Sequence, residues 1–160
     1  SNKKLIELIN NGLENVFNKY PSLLMIGEDI EDANKYFSKD YGGAFKASKE
    51  LSKKFPGRVI NTPISEAAIV GFSIGRALTG LPTIVEIMFG DFLTLTIDQI
   101  VQHASKIPTM FGKNIDIPMI LRTPMGGRRG YGPTHSQSIE RLIVGLPNIN
   151  VVVMNHFVDP

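Results

Sequence analysis

Apolar residues along this chain fall into short runs of two different periods, and the alternation between them predicts an architecture. LIELINNGLENVF (5–17) places its apolar residues near helical spacing, interrupted by Gly12, which predicts a first helix. SLLMIGEDI (22–30) reads as a buried strand that ends at Gly27 and turns acidic, and the polar, glycine-containing stretch 31–45 reads as a surface loop. KASKELSKKFPG (46–57) has the pattern of an amphipathic helix stopped by Pro56-Gly57. RVINT (58–62) and PTIVEIMF (82–89) read as strands on either side of a long apolar helix that opens at Glu66. A helix is predicted over 91–107, with Leu93, Ile97, Ile100, Val101 and Ala104 on one side, followed by strands at 117–123 and 148–155. Near-continuous apolar strands alternating with helices predict an α/β fold, a mostly parallel sheet with helices on both faces. No internal repeat or low-complexity tract stands out.

Ligands of such folds sit outside the carboxyl ends of the strands, so the residues that follow each strand carry the functional information. They are Gly27-Glu28-Asp29, then Thr62 to Glu66, then Phe89-Gly90-Asp91-Phe92, and finally the glycine-rich stretch from Thr123 to Gln137. Acids, aromatics, two arginines and a histidine gather on one rim.

Each has a plain and a chemical reading. Glu66 is either a first-turn acid favoured by the helix dipole, with Ser65 as N-cap, or a dehydrated carboxylate aimed into a crevice. The helix behind it is apolar nearly all round, and Gly71 and Gly75 predict close packing against another backbone. A dehydrated carboxylate needs a partner that gives or shares a proton, such as a protonatable ligand nitrogen. His135 follows the glycine-rich loop. Thr134 and Gln137 have capping-box spacing, so His135 reads as the first residue of a short helix through SQSIERLIVG, where imidazolium is disfavoured. It is otherwise a surface histidine. Phe92 is a core residue or a stacking platform, and Arg128 and Arg129 are a solvated tip or an anion clamp. His103 and His156 read as structural.

Composition narrows the classes. The chain has 160 residues, enough for one domain, and a net charge of +2 with scattered basic residues, which gives no footprint for nucleic acid. The absence of cysteine removes disulfides, thiolate nucleophiles and structural zinc, and fits a reducing compartment; the location expected is cytoplasmic. No apolar run approaches the ~20 residues needed to cross a bilayer. There is no G-x-x-x-x-G-K-[ST], no G-x-S-x-G and no recognisable metal site. A start at Ser1-Asn2 and a stop at Pro160, just after an apolar run, lead us to expect a piece of a longer protein.

The segments GEDI, YGGAFKASKELSKKFPGRVINTPISEAAIVGFSIGRALTG, DQIVQHASK, PMILRTPMGG and HSQS follow one another in an order with a known counterpart. From about residue 22 to 155 the chain resembles the pyrimidine-binding domain of the beta subunit, or beta half, of thiamine-diphosphate-dependent 2-oxo acid dehydrogenases. TPISE, DQI and HSQS are together highly specific, and RTPMGGRRGYGPTHSQS is most similar to fused alpha–beta versions.

The resemblance implies a thiamine diphosphate-binding fold over 3–160, lacking the carboxyl-terminal domain of the beta part. It implies that Glu66 hydrogen-bonds the aminopyrimidine ring nitrogen, that Phe92 packs on that ring, and that His135 assists proton transfer or reductive acylation near the reacting carbon. Glu28 would line the cofactor site. Arg128 and Arg129 depart from many beta subunits and are assigned only a contact with the substrate carboxylate or a lipoyl domain.

The G-D-G…N motif that holds diphosphate and magnesium has no match here; in the family it lies in the alpha part, so this chain should be inactive alone. Its implied partners are an alpha subunit or half, a lipoyl acyltransferase core, and further copies in a homodimer or heterotetramer. Oxidative decarboxylation of a 2-oxo acid with acyl transfer to lipoyl is the implied activity. The alternatives are a transketolase or deoxyxylulose-phosphate synthase relative, against which HSQS argues, and a non-catalytic assembly module.

Overall fold

The computed structural model describes residues 4–32, 41–111 and 115–154. Its sheet has four strands, β1 Leu24–Gly27, β2 Val59–Asn61, β3 Thr83–Glu86 and β4 Met119–Arg122, in the order β2-β1-β3-β4. Every ladder is parallel, with Met25 opposite both Val59 and Ile84, and Ile84 opposite Ile120. The expected α/β class is therefore the observed one.

Alternate strand residues face two separate cores, which is why the strands read as continuous apolar runs. Met25, Val59 and Ile84 pack with Leu13 and Phe17 of α1 (Leu5–Lys19) and with Leu51 of α2 (Leu51–Lys54). Ile26 and Val85 point the other way, onto Ile69, Val70 and Ile74 of α3 (Glu66–Leu78). Each such side chain contributes about 1.5–3 kcal/mol on burial. Arg58 ties the first layer together. It donates to the carbonyls of Phe17, Tyr20 and Leu23, and its guanidinium lies 4.9 Å from the Phe17 ring centroid.

The helix expected over 46–57 shrinks to Leu51–Lys54, preceded by turns in which Lys46 and Glu50 have φ of 64° and 67°. The described parts of the predicted surface loop, residues 31–32 and 41–45, are not fully solvated, since Asp32, Gly42 and Gly43 are buried, and Ser48 is buried within the expected helix; residues 33–40 lie outside the described residues. One cause explains both departures. The buried Asp32 carboxylate accepts from the Glu50 N–H (2.5 Å) and from Ser52 Oγ (2.8 Å), and Ser48 Oγ donates to the Ile30 carbonyl (2.7 Å). These tertiary hydrogen bonds outcompete the helix ladder. Gly42 allows the close approach, because a Cβ there would lie 2.3 Å from Lys49 Cα. Ser48→Ala should lower unfolding stability by about 1–3 kcal/mol, the cost of leaving the buried Ile30 carbonyl unpaired, read as a lower urea midpoint with an unchanged slope.

The helix expected over 91–107 is instead a 3-10 stretch (Gly90–Thr96), a π-helical stretch (Gln99–Ala104) and α4 (Ile107–Met110). Thr94 Oγ1 and Thr96 Oγ1 donate back to the carbonyls of Asp91 and Leu93, which favours the tighter winding. The predicted face holds in substance: Leu93, Ile100 and Ala104 are buried and Ile97 packs beside them, whereas Val101 is only half-buried.

Two expectations fail. Residues 148–154 form no strand, and Val152 and Val153 stand 75% and 63% exposed. Apolar β-formers fit a paired, half-buried surface, and this run finds no ladder partner. The helix α3 is not enclosed all round either. Ile64, Phe72 and Leu78 are exposed beside it, Gly71 meets only the Gln99 side chain, and nothing lies within 4 Å of a Cβ at Gly75. Ser65 makes no side-chain cap.

Candidate functional site

The parallel strands deliver their carboxyl ends to one edge of the sheet, and the candidate residues follow directly. Glu28 comes one residue after β1, and Glu66 is the first residue of α3. Only 8% and 7% of these two carboxylates' residues is exposed. Glu28 Oε1 has no hydrogen-bond partner, and neither do the buried hydroxyls of Thr62 and Thr123 just beyond β2 and β4. Orphaned polar atoms are rare in folded proteins, so three at the ends of three strands mark this edge as built for polar contact.

The Glu28 carboxyl is pushed up to about 7, first by burial and then by the neighbouring negative charges of Glu66 and Asp29. A carboxyl whose value rises from 4.5 to about 7 on folding binds its proton more tightly in the native state. Its favourable contribution is complete below 4.5 and is lost as pH rises through 7. Glu28→Gln should therefore raise the melting temperature more at pH 8 than at pH 5, measured by thermal unfolding at both.

A second cluster forms where the loops after β3 and β4 meet. Phe89 lies at its centre, 5.6 Å from Phe92, 4.6 Å from the His135 ring and 5.3 Å from Tyr131 between ring centroids, each pair edge-to-face. Phe92 and His135 are themselves 5.2 Å apart. The structure thus brings Glu28 to Glu66 and Phe92 to His135.

The two arginines separate. Arg128 is exposed with φ of 62°. Arg129 turns inward, its Nη2 donating to the Gly126 carbonyl (2.6 Å) and the His135 carbonyl (3.3 Å), with its guanidinium 4.8 Å from the Phe45 ring centroid. Arg128 thus has the exposure of a solvated tip, whereas Arg129 is half-buried and keeps a buried Nε without a hydrogen-bond partner.

His135 does not begin a helix. It ends a three-residue 3-10 turn, Pro133–His135, and Thr134 Oγ1 lies 2.8 Å from its Nδ1. The capping box fails because Gln137 is engaged elsewhere, donating through Nε2 to Asp91 Oδ1 (2.8 Å). Of the helix expected through 145, only the turn Glu140–Leu142 forms.

Phe89, Asp91 and Gln137 also join these contacts, although sequence reading marked Phe89 and Asp91 only as strand-end neighbours and Gln137 only as half of a capping box. Adjacency to a strand end was the available signal for the first two. His103 is exposed on the π-helical stretch, and His156 lies outside the described residues. Among the described residues no group of three or more His, Asp or Glu side chains could hold a metal, and no helix is long and apolar enough to cross a membrane.

Comparison with known proteins identifies the family of the chain. The sequence model of the family "Transketolase, pyrimidine binding domain" matches residues 2–158. The pyruvate dehydrogenase E1 component subunit beta of Staurastrum punctulatum is 34% identical over 149 residues, covering 92% of this chain and 43% of that protein. The acetoin:2,6-dichlorophenolindophenol oxidoreductase subunit beta of Cupriavidus necator is 36% identical over 146 residues, 90% of this chain and 43% of the relative. A chloroplastic pyruvate dehydrogenase E1 subunit beta of Arabidopsis thaliana is 36% identical over 149 residues, 92% of this chain and 35% of its own length. The chain thus spans about two fifths of the length of these curated relatives. With nearly all of its residues matched by the family's model and its acids and aromatics gathered at the carboxyl edge of a parallel sheet, the chain belongs to the transketolase pyrimidine-binding domain family.

Proposed function

We propose that residues 3–160 form the pyrimidine-binding half of a thiamine-diphosphate-dependent 2-oxo acid dehydrogenase, acting in oxidative decarboxylation of a 2-oxo acid with acyl transfer to lipoyl. One observation carries this reading: a buried carboxylate, Glu66, stands beside a second buried carboxyl, Glu28, that is raised to about 7 and has an unpartnered oxygen. The residues fit the aminopyrimidine. Two dehydrated acids are satisfied by a ligand that offers nitrogen donors and can share a proton, and the Phe92 ring, at the same carboxyl edge of the sheet, would supply its apolar face.

When bound, thiamine diphosphate supplies the carbon nucleophile and the electron sink of the reaction. Glu66 holds or moves a proton at the ring nitrogen, which in water would be exchanged freely and here is confined by burial. Glu28 keeps its own proton near neutrality and so tolerates the Glu66 charge. Phe92 packs on the ring, and His135, held edge-on between Phe89 and Phe92, moves a proton near the reacting carbon. Arg128, exposed at the loop tip, contacts the substrate carboxylate or a lipoyl domain. Arg129 braces the loop from within.

Diphosphate and magnesium are assigned to an alpha subunit or half. The exposed Phe72 and Leu78 of α3, with Ile64 just before it, suit burial against such a partner in a dimer or heterotetramer. A lipoyl acyltransferase core accepts the acyl group. A cytoplasmic location belongs to this reading and is checked by cell fractionation, since one relative is chloroplastic by name.

The test uses the complete enzyme, with its partner half, thiamine diphosphate and magnesium. Dye reduction is followed with pyruvate, branched-chain 2-oxo acids and acetoin. Turnover of one of them by wild type, and its loss in Glu66→Gln, is the expected result; equal rates in both proteins would overturn it, and sugar-phosphate turnover would favour the transketolase-like alternative.

A further inference from the structure

We infer that Asp91 is a positioning residue that, through Gln137, fixes where the His135 ring stands. The inference rests on the role proposed above for His135. Asp91 is 7% exposed and immediately precedes Phe92. Its Oδ1 accepts from Gln137 Nε2 at 2.8 Å, and its Oδ2 accepts from the Gln137 backbone N–H at 3.3 Å. A dehydrated carboxylate is held in place by the donors that compensate it, and two donors from one residue fix orientation as well as position. Gln137 lies two residues beyond His135, so whatever fixes Gln137 fixes the histidine's backbone.

The loop that carries His135 is closed at the same place. The Gly126 N–H donates to the Gln137 carbonyl (3.2 Å), making residues 126–137 a closed loop, and Arg129 crosses its inside to reach both Gly126 and His135. On the other side, the Gly90 N–H donates to the Pro124 carbonyl (2.9 Å). The segments that bear Phe92 and His135 are therefore joined by a backbone bond at one end and by the Asp91–Gln137 pair at the other. Backbone pairing sets how far apart the segments lie. The side-chain pair sets the register of Gln137, and with it the edge-on approach of His135 to Phe89 and Phe92.

A merely structural acid would hold the fold without steering the ring, and a reciprocal exchange separates the two. The two single variants are Asp91→Ala, which loses both acceptors, and Gln137→Glu; Asp91→Asn alone would keep both contacts, because the Gln137 amide flips to present its oxygen to the asparagine amide. In Gln137→Glu two carboxylates face each other. In the double variant D91N/Q137E the asparagine carbonyl accepts the backbone N–H while its amide donates to the new carboxylate, so both bonds return, the backbone one in the same direction and the side-chain one reversed.

The experiment uses the complete enzyme and two signals. The first, which needs neither substrate nor cofactor turnover, is site-resolved acylation of histidines by diethyl pyrocarbonate, read by mass spectrometry. Each single variant should raise the His135 rate by about threefold or more, with exposed His103 unchanged, and the double variant should restore it. The second is steady-state kinetics: each single variant should lose about tenfold or more in kcat with KM within about twofold, recovered by the exchange. Gln137→Ala, which removes the amide without adding charge, should follow the single variants and guards against a folding defect.

Unmoved His135 acylation in folded single variants would overturn the inference, as would single-variant effects that the exchange does not reverse. Restored acylation in an enzyme that turns over no 2-oxo acid would uphold the positioning of the ring and overturn the proposed function instead.

Discussion

Glu66→Gln is expected to lower kcat of the complete enzyme by about 10²–10⁴-fold, the range over which a positioned proton-transfer group acts. Glutamine keeps the size and one acceptor oxygen of the carboxylate, so binding of the pyrimidine loses little while the proton function is removed. KM should change far less than kcat for that reason. A second consequence follows inside the chain. Burial, Glu66 and Asp29 together raise Glu28 to about 7, with burial the largest cause. Removing the Glu66 charge takes away one of the three, so Glu28 should titrate below its wild-type value yet still above 4.5. Carbon-detected NMR of labelled glutamates would show it. A variant with wild-type kcat would remove Glu66 from the chemistry, and an unmoved Glu28 titration would show that the two acids do not interact.

What the sequence discloses and what it hides divide along physical lines. Strands β1, β2, β3 and β4 were legible because residues such as Met25 and Ile26 face two different cores, and burial on both sides leaves a continuous apolar signature. The rim residues were legible through topology, because parallel strands must deliver Glu28, Glu66 and Phe92 to the same edge. Segments governed by distant polar partners were not. Asp32 rewrites the conformation of Glu50, 18 residues away, and Asp91 takes Gln137 from the helix cap that local spacing predicts, across 46 residues. Neither partner has a periodicity. The apolar run at 148–154 shows the converse limit, since β-propensity describes fit to a paired surface and supplies no neighbour. Gly75 misled for a similar reason: small residues permit close approach without providing anything to approach within the chain.

Arg122→Met should destabilise the chain by about 3–5 kcal/mol, because it leaves the Glu86 carboxylate buried without its cation. Glu86 ends β3, is 4% exposed, and faces Arg122 at the end of β4 in direct register, where Nη1 of the arginine donates to Oε2. The adjoining backbone also depends on this edge, since the Ile87 N–H donates to the Arg122 carbonyl (3.0 Å). Urea unfolding would show the loss as a reduced midpoint. The double variant E86L/R122M should recover most of it, because replacing both charges with apolar groups of similar volume removes the uncompensated carboxylate instead of exposing it. The pair's place in the fold gives the result a functional side. Glu86 Oε1 lies 3.3 Å from where a Cβ on Gly43 would sit, and Phe45 of the same turn packs edge-on against Phe89 at 5.6 Å. Recovered stability with diminished turnover in the double variant would show that this ion pair sets the floor beneath the aromatic cluster, whereas full recovery of both would confine it to holding two strand ends together.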